Sequence, residues 1–314
     1  MLRRRSTPAG EHRPVLLKEV LEVLDPRSGA TVVDCTVGWA GHAAELLTRA
    51  CPQGRLIGFD FDADNLVKAR ERLEPIGCPF SLHHGNFAGL PNILAAEGIA
   101  EVDLLLADLG MSSMQVDDAE RGFSYVRDGP LDMRMDRSRG KTAAQLLSTI
   151  SEADLQAALR DYGDEPETEK IAKAIAAARQ RMAILRTGDL VKVILEAARN
   201  GKPAEPWRLH PAKNKWNIHP AARTFQALRI LVNRELANLE QLLRVIPTIM
   251  KSGGRAAIIS FHSGEDRLVK AAFRGGLRHG LYSKISDDPI RSTFAERTEN
   301  PRSRSAKLRW AFKA

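Results

Sequence analysis

Apolar and polar positions follow two rhythms in the first third of the chain. Short, nearly unbroken apolar runs occupy residues 30–34, 55–60, 80–84 and 102–108, and between them apolar residues recur at helical spacing, as in Leu66, Ala69 and Leu73. Such runs alternating with helices predict strands buried on both faces of a parallel, doubly wound sheet. After Asp108 the rhythm changes, and residues 117–222 show no strand pattern. Thr142 with Gln145 and Ser151 with Asp154 predict helix starts, and 168–182 predicts an alanine-rich helix. Phe225, Leu228, Val232, Leu236, Leu239 and Leu243 share one face of a stretch that predicts a single long helix from 222 to near Pro247. Gly253-Gly254 then turns the chain into a strand over 255–260, Ser263 with Asp266 predicts a further helix start, and 281–285 with 307–312 predict a closing strand pair.

The predicted fold class is α/β, a doubly wound Rossmann-like sheet with an inserted all-helical domain. Residues 1–116 and 223–314 form the sheet domain, and 117–222 form the insertion. The 314 residues suit about two structural units and bury a sizeable core without a metal or disulfides. With 43% hydrophobic and 27% charged residues, the composition is that of a folded chain rather than a disordered one. No apolar run approaches the ~20 residues of a membrane span. The basic start Arg3-Arg4-Arg5 has no apolar stretch behind it, so a secretory signal is not expected and cytoplasmic placement is. Cys35, Cys51 and Cys78 are too few and too scattered for a disulfide framework or zinc site and are expected to be reduced thiols. The net charge of +8 is compatible with a polyanionic partner without demanding one.

Candidate chemistry gathers at predicted strand ends. Asp34-Cys35-Thr36-Val37-Gly38-Trp39-Ala40-Gly41-His42 is a strand-to-helix turn whose glycines let backbone amides approach a ligand. Asp60 ends the next strand, where a carboxylate can accept both hydroxyl hydrogens of a ribose. The full G-x-G-x-x-G fingerprint is absent, and an acidic turn beginning at Asp34 suits a pyrophosphate poorly. That disfavours a nicotinamide oxidoreductase and favours S-adenosylmethionine, with Asp34 toward the methionine ammonium and Asp60 on the ribose. The plainer alternative is an ordinary turn with two strand-end acids. Asp108-Leu109-Gly110-Met111-Ser112-Ser113 and Ser260-Phe261-His262-Ser263 end later strands on the same rim. His262 is either a substrate contact or part of a helix cap.

These blocks, together with 118–124 (DAERGFS), 128–135 (DGPLDMRM), 223–230 (RTFQALRI) and 300–305 (NPRSRS), resemble in order the bacterial ribosomal RNA small subunit methyltransferase H family over essentially the whole chain. The resemblance implies methyl transfer from S-adenosylmethionine to the N4 amine of a cytosine in the decoding region of 16S rRNA, cytosine 1402. Its partner is then the small-subunit RNA or the small subunit itself, with the enzyme a monomer or homodimer and no membrane involved. Carried onto this chain, the cofactor contacts are Ala40, Gly41, His42, Asp60, Phe87, Asp108 and Gln115. The proton acceptor stays open among Asp108, Ser112, Ser113 and the Asp132-Arg134-Asp136 cluster. Candidate RNA contacts are Arg134, Arg208, Lys213, Lys215, Arg223, His262, Arg302 and Arg304, with Lys307 and Arg309 in the same basic tail. Ala40 stands where the family has glycine, Gly264 where leucine is common, and Asp287-Asp288 where lysines are usual. An alternative is therefore a ribosome-assembly factor that binds RNA without methylating it.

Overall fold

The computed structural model describes residues 13–199 and 219–314. In chain order the elements are α1 (Leu17–Leu24), β1 (Thr31–Asp34), α2 (Gly41–Ala50), β2 (Arg55–Asp60), α3 (Ala63–Leu73), β3 (Phe80–His84), α4 (Leu90–Ala96) and β4 (Val102–Asp108). A helical series follows: α5 (Ser113–Asp117), α6 (Ala143–Thr149), α7 (Glu152–Gly163), α8 (Thr168–Arg181), α9 (Thr187–Arg199) and α10 (Ala221–Asn233). The chain ends with α11 (Glu235–Ile249), β5 (Met250–Ser260), α12 (Ser263–Arg278), β6 (Tyr282–Ile285), α13 (Phe294–Glu299) and β7 (Lys307–Lys313). It divides into two compact units, Met1–Gly110 with Leu236–Ala314, and Met111–Glu235. The helical unit thus reaches past 117–222 at both ends.

The sheet unit is the predicted doubly wound α/β structure, with seven strands in the order β3-β2-β1-β4-β5-β7-β6. β1 to β5 pair in parallel, and β7 runs antiparallel between β5 and β6. Successive strand residues face opposite layers, as the period of two requires. Val33, Ile57 and Leu105 pack with Leu94, Leu242 and Phe273 of α4, α11 and α12. Val32, Leu56 and Leu104 pack on the other face with Val20, Leu46 and Leu47 of α1 and α2. Burial on both faces explains why these strands read as unbroken apolar runs.

In the helical unit, Thr142 and Gln145 form a reciprocal cap at α6, and the Ser151 side chain accepts from the Asp154 amide at α7. Gly163 ends α7 where a Cβ would lie 2.8 Å from the Arg223 carbonyl oxygen, so α7 and α10 approach closely only because this residue is glycine. The acidic segment after it closes α7 and opens α8, where negative charge suits a helix N-terminus.

Three expectations are corrected. The long helix is two helices, because Arg234 takes a left-handed conformation (φ 53°) that ends α10. Asn233 there holds the Met133 carbonyl and the Met135 amide, a tertiary demand that apolar spacing does not register. Cys51 and Cys78 are joined in a disulfide with Cα atoms 6.0 Å apart, leaving Cys35 free. The adjacency of β2 and β3 brings these distant cysteines together. Finally, α12 is capped one residue early: Glu265 reaches back to the amides of Phe261 and His262, displacing the Ser263 and Asp266 pairing. No helix among the described residues is long and apolar enough to cross a membrane.

Candidate active site at the strand ends

β1 is the shortest central strand, and its neighbours run past it. Asp34 lies in register with Gly58 of β2 and Leu106 of β4, so Asp60 and Asp108 each end two residues further along. Three carboxylates therefore surround the carboxyl end of β1, the edge where open α/β sheets bind ligands. Gly58 makes room for the following turn, since a Cβ there would lie 2.8 Å from Leu82 and 3.2 Å from Val37.

The turn is held by those same acids. The Asp34 Oδ1 accepts from the Thr36 amide at 3.0 Å, and the Asp60 Oδ2 accepts from the Gly38 amide at 2.8 Å. The other Asp60 oxygen accepts from the Asp62 amide and from Asn65 Nδ2, which pins the carboxylate while leaving it acceptor capacity. Gly38 and Ala40 both have positive φ, 52° and 58°. For Ala40 this conformation costs roughly 1–2 kcal/mol. Gly41 then opens α2 against Pro14, with 3.3 Å available to a Cβ. Phe87 is buried and meets Phe61 edge-on, with centroids 6.0 Å apart.

His42, in the first turn of α2, is 6% exposed. Its Nε2 donates to the Val15 carbonyl at 2.9 Å, and its Nδ1 lies 3.7 Å from Asp108 Oδ2. The Asp108 amide meets the Thr36 hydroxyl at 2.7 Å. The other carboxylate oxygen, Oδ1, is sealed from solvent with no hydrogen-bond partner among the described residues. No described lysine or arginine pairs with Asp34, Asp60 or Asp108. Burial pushes Asp34 up to about 7, reinforced by the Asp60 charge, and pushes Asp60 up to about 6. Burial, followed by the charges of Asp34 and Glu265, raises Asp108 well above the ordinary carboxylate range. A site of clustered, desolvated acids is complementary to a cation. It fits a ligand carrying a sulfonium and an ammonium, and it does not fit a pyrophosphate.

Ser112 and Gln115, in the helical unit, cap α5 reciprocally, so the Ser112 hydroxyl is engaged by the Gln115 amide. Ser113 is the first residue of α5. Arg134 grips Asp132 through two bonds of 2.7 and 2.9 Å, while Arg121 holds the carbonyls of Arg134 and Met135. Arg223 is half-buried on α10. His262 begins α12 with Nε2 3.3 Å from Glu265. Arg302 and Arg304 sit on the turn Pro301–Ser305 before β7. Arg208, Lys213 and Lys215 fall outside the described residues. Arg309 is no RNA contact: it is 4% exposed and bonds Asp266 at 2.7 Å, which Lys307 also meets. Sequence reasoning missed Glu265, 2% exposed beside Asp108; its three-residue spacing from His262 was the available signal.

An antiparallel strand inserted between β5 and β6 of an otherwise parallel sheet, with this acid cluster at the strand ends, defines a Rossmann-like class I methyltransferase. Its cofactor is S-adenosylmethionine. The chain belongs to the MraW methylase family, whose model matches residues 9–314. A relative from Geobacter sp. (strain M21), named ribosomal RNA small subunit methyltransferase H, is 45% identical, covering 95% of this chain and 97% of its own. One of the same name from Symbiobacterium thermophilum is 42% identical, covering 97% of each. Among solved structures, an rRNA methylase from Streptococcus thermophilus is similar with TM-score 0.41 and 12% identity, over 95% of this chain and 93% of that one.

Proposed function

We propose that this methylase modifies the N4 amine of a cytosine in the decoding region of small-subunit ribosomal RNA, the cytosine numbered 1402. The name its relatives carry supports the RNA class. The observation that carries the chemistry is Asp108, a strand-end carboxylate with one buried oxygen left unbonded. A cytosine amine is a weak nucleophile because its lone pair is delocalised into the ring, so orientation supplies much of the catalysis, about 7 kcal/mol in favourable cases. S-adenosylmethionine supplies a sulfonium methyl, whose transfer to N4 displaces one amine proton. Asp108 Oδ1 accepts a hydrogen bond from the amine, aims it, and takes that proton. Thr36 and the end of β4 fix the carboxylate in place. Asp60 holds the ribose, Asp34 faces the methionine ammonium, Phe87 packs on the adenosine, and the amides of the 38–42 turn approach the methionine chain. Ser112 is spent as a helix cap, which leaves Asp108 the better acceptor.

The target base enters such a site only when it is unpaired or flipped out. Arg134, Arg223, His262, Arg302 and Arg304, with Arg208, Lys213 and Lys215, are the proposed contacts to the RNA. Mass spectrometry of small-subunit RNA from cells with and without the protein tests the reading. A single N4-methylcytosine should vanish with the gene, and unchanged RNA would refute it.

A further inference from the structure

Between Leu131 and Thr142 the helical unit sorts its charges by depth. Residues 131–136 are buried apart from a half-buried Arg134, and the next five, Arg137-Ser138-Arg139-Gly140-Lys141, are all exposed. Both acids lie on the buried side, Asp132 at 7% and Asp136 at 9% exposure, whereas the Arg137 and Arg139 side chains are 54% and 62% exposed. The acids are largely satisfied from below. Asp132 receives two bonds from Arg134, so Arg137 approaches it only at 3.9 Å. Asp136 Oδ1 accepts from the Ser138 amide and hydroxyl, while Arg139 Nε reaches the other oxygen at 2.6 Å. Lys141 pairs with no acid among the described residues. The backbone beneath is fixed from several sides. Arg121 holds the carbonyls of Arg134 and Met135, and Asn233 holds the Met133 carbonyl and the Met135 amide. Arg134 Nη1 lies 3.5 and 3.4 Å from the Arg139 and Gly140 carbonyls, bracing the exposed turn from its root. Met133 keeps a left-handed φ of 62° there, a conformation that persists only where the surroundings over-determine it. An ordinary solvated charge run has no such frame.

We infer that Arg137, Arg139 and Lys141 form a docking loop for the sugar-phosphate backbone of single-stranded RNA, extending outward the contact proposed at Arg134. Guanidinium forks match phosphate oxygens in pairs, and the lysine adds a point charge. Gly140 (φ 80°) leaves the backbone between Arg139 and Lys141 bare, with nothing within 4 Å of a Cβ position, so a strand can approach closely. A frame already fixed lowers the ordering cost of binding. The chemistry of the loop favours a nucleic acid over an acidic protein. Protein interfaces centre on apolar and aromatic anchors, and the exposed residues 137–141 include none. Phosphate contacts carry no sequence information. The loop therefore supplies affinity and register, and the choice of base is made by other residues. The inference deepens the proposed function and rests on its RNA substrate.

Fluorescence anisotropy of the full chain with a labelled polyuridylate strand of about 12 nucleotides, between about 50 and 200 mM salt, reads these contacts directly. Polyuridylate carries the phosphates but not the proposed target base. Combined Arg137→Gln, Arg139→Gln and Lys141→Gln removes three charges, and the slope of log affinity against log salt should flatten by about 2, at roughly 0.7 per phosphate. Affinity at the lowest salt should fall about ten-fold or more, both for polyuridylate and for small subunits purified from cells lacking the gene. Arg137→Lys with Arg139→Lys keeps the charges and should keep the slope. A loop with a merely structural role changes stability and leaves the slope unmoved. An unaltered slope in the triple glutamine variant therefore overturns the inference. Equal flattening by the lysine pair overturns it too, because charge is then not the agent. Weakened subunit binding beside unchanged polyuridylate binding overturns it in favour of an acidic protein partner, and absence of polyuridylate binding by the unaltered chain overturns it outright. The expected flattening, found where loss of the gene leaves N4-methylcytosine unchanged, upholds the loop and overturns only the assignment of the target base.

Discussion

Asp34→Asn should stabilise the cofactor-free protein in alkaline solution while weakening its hold on the cofactor. The Asp34 carboxyl sits at about 7 in the fold, with burial the leading cause, against about 3.9 in an unfolded chain. The folded state therefore binds more protons between those values, and stability declines as pH rises through the window until the penalty is complete above about 7. Roughly 3 units at ~1.4 kcal/mol each set a ceiling of about 4 kcal/mol on that penalty. Asparagine keeps an oxygen for the Thr36 amide and hydroxyl, and its amide donor replaces a charge that repels Asp60 and Asp108. Urea denaturation without cofactor should show the variant more stable by about 2–4 kcal/mol at pH 8. At pH 5 Asp34 is already protonated in the folded chain, so the gain should shrink by about 2–3 kcal/mol. An equal gain at both pH values, or none at pH 8, would refute the electrostatic account of the acid cluster.

Three further changes test the packing of the two units, each taken by itself. Arg309→Met strips the buried one of the two cations held by Asp266, leaving Lys307 in place, and should cost about 1.5–3 kcal/mol by thermal denaturation. Gly129→Ala places a Cβ 1.9 Å from the Ala119 carbonyl oxygen and should destabilise the helical unit by about 3 kcal/mol or more, read as faster hydrogen exchange across 111–235. Gly275→Ala in α12 meets nothing within 4 Å and should instead be neutral or stabilising by up to about 1 kcal/mol.

The sheet was legible because burial on both faces leaves an unbroken apolar signature. β2, β3 and β4 begin and end at the residues that pattern predicts. The acids of the site were legible for a related reason, since charge at the end of an apolar strand stands out. What escaped the pattern was set by contacts distant in sequence. Arg234 breaks a helix whose apolar face runs on unbroken, because Asn233 is committed to the 133–135 loop. The Cys51–Cys78 bond depends on strand order rather than on spacing. Arg309 reads as one more cation of a basic tail until β7 carries it beneath α12 to Asp266. The Asp108–His42 pair unites the ends of two elements, and neither residue announces the other.

The place of the helical unit in the chain has a consequence for synthesis. β4 and β5 are hydrogen-bonded neighbours, yet roughly 140 residues separate them, which a ribosome delivers in about 7–30 s at its usual pace. For that interval β4 waits with one edge unpaired, and Leu104, Leu105 and Leu106, at most 5% exposed in the finished sheet, lack their cover. An unpaired apolar edge is a template for misassociation. The helices made meanwhile have nearer partners and can settle first, so the catalytic sheet, begun before them, is completed after them. The half-built sheet is therefore the stage of this protein's life most in need of a chaperone.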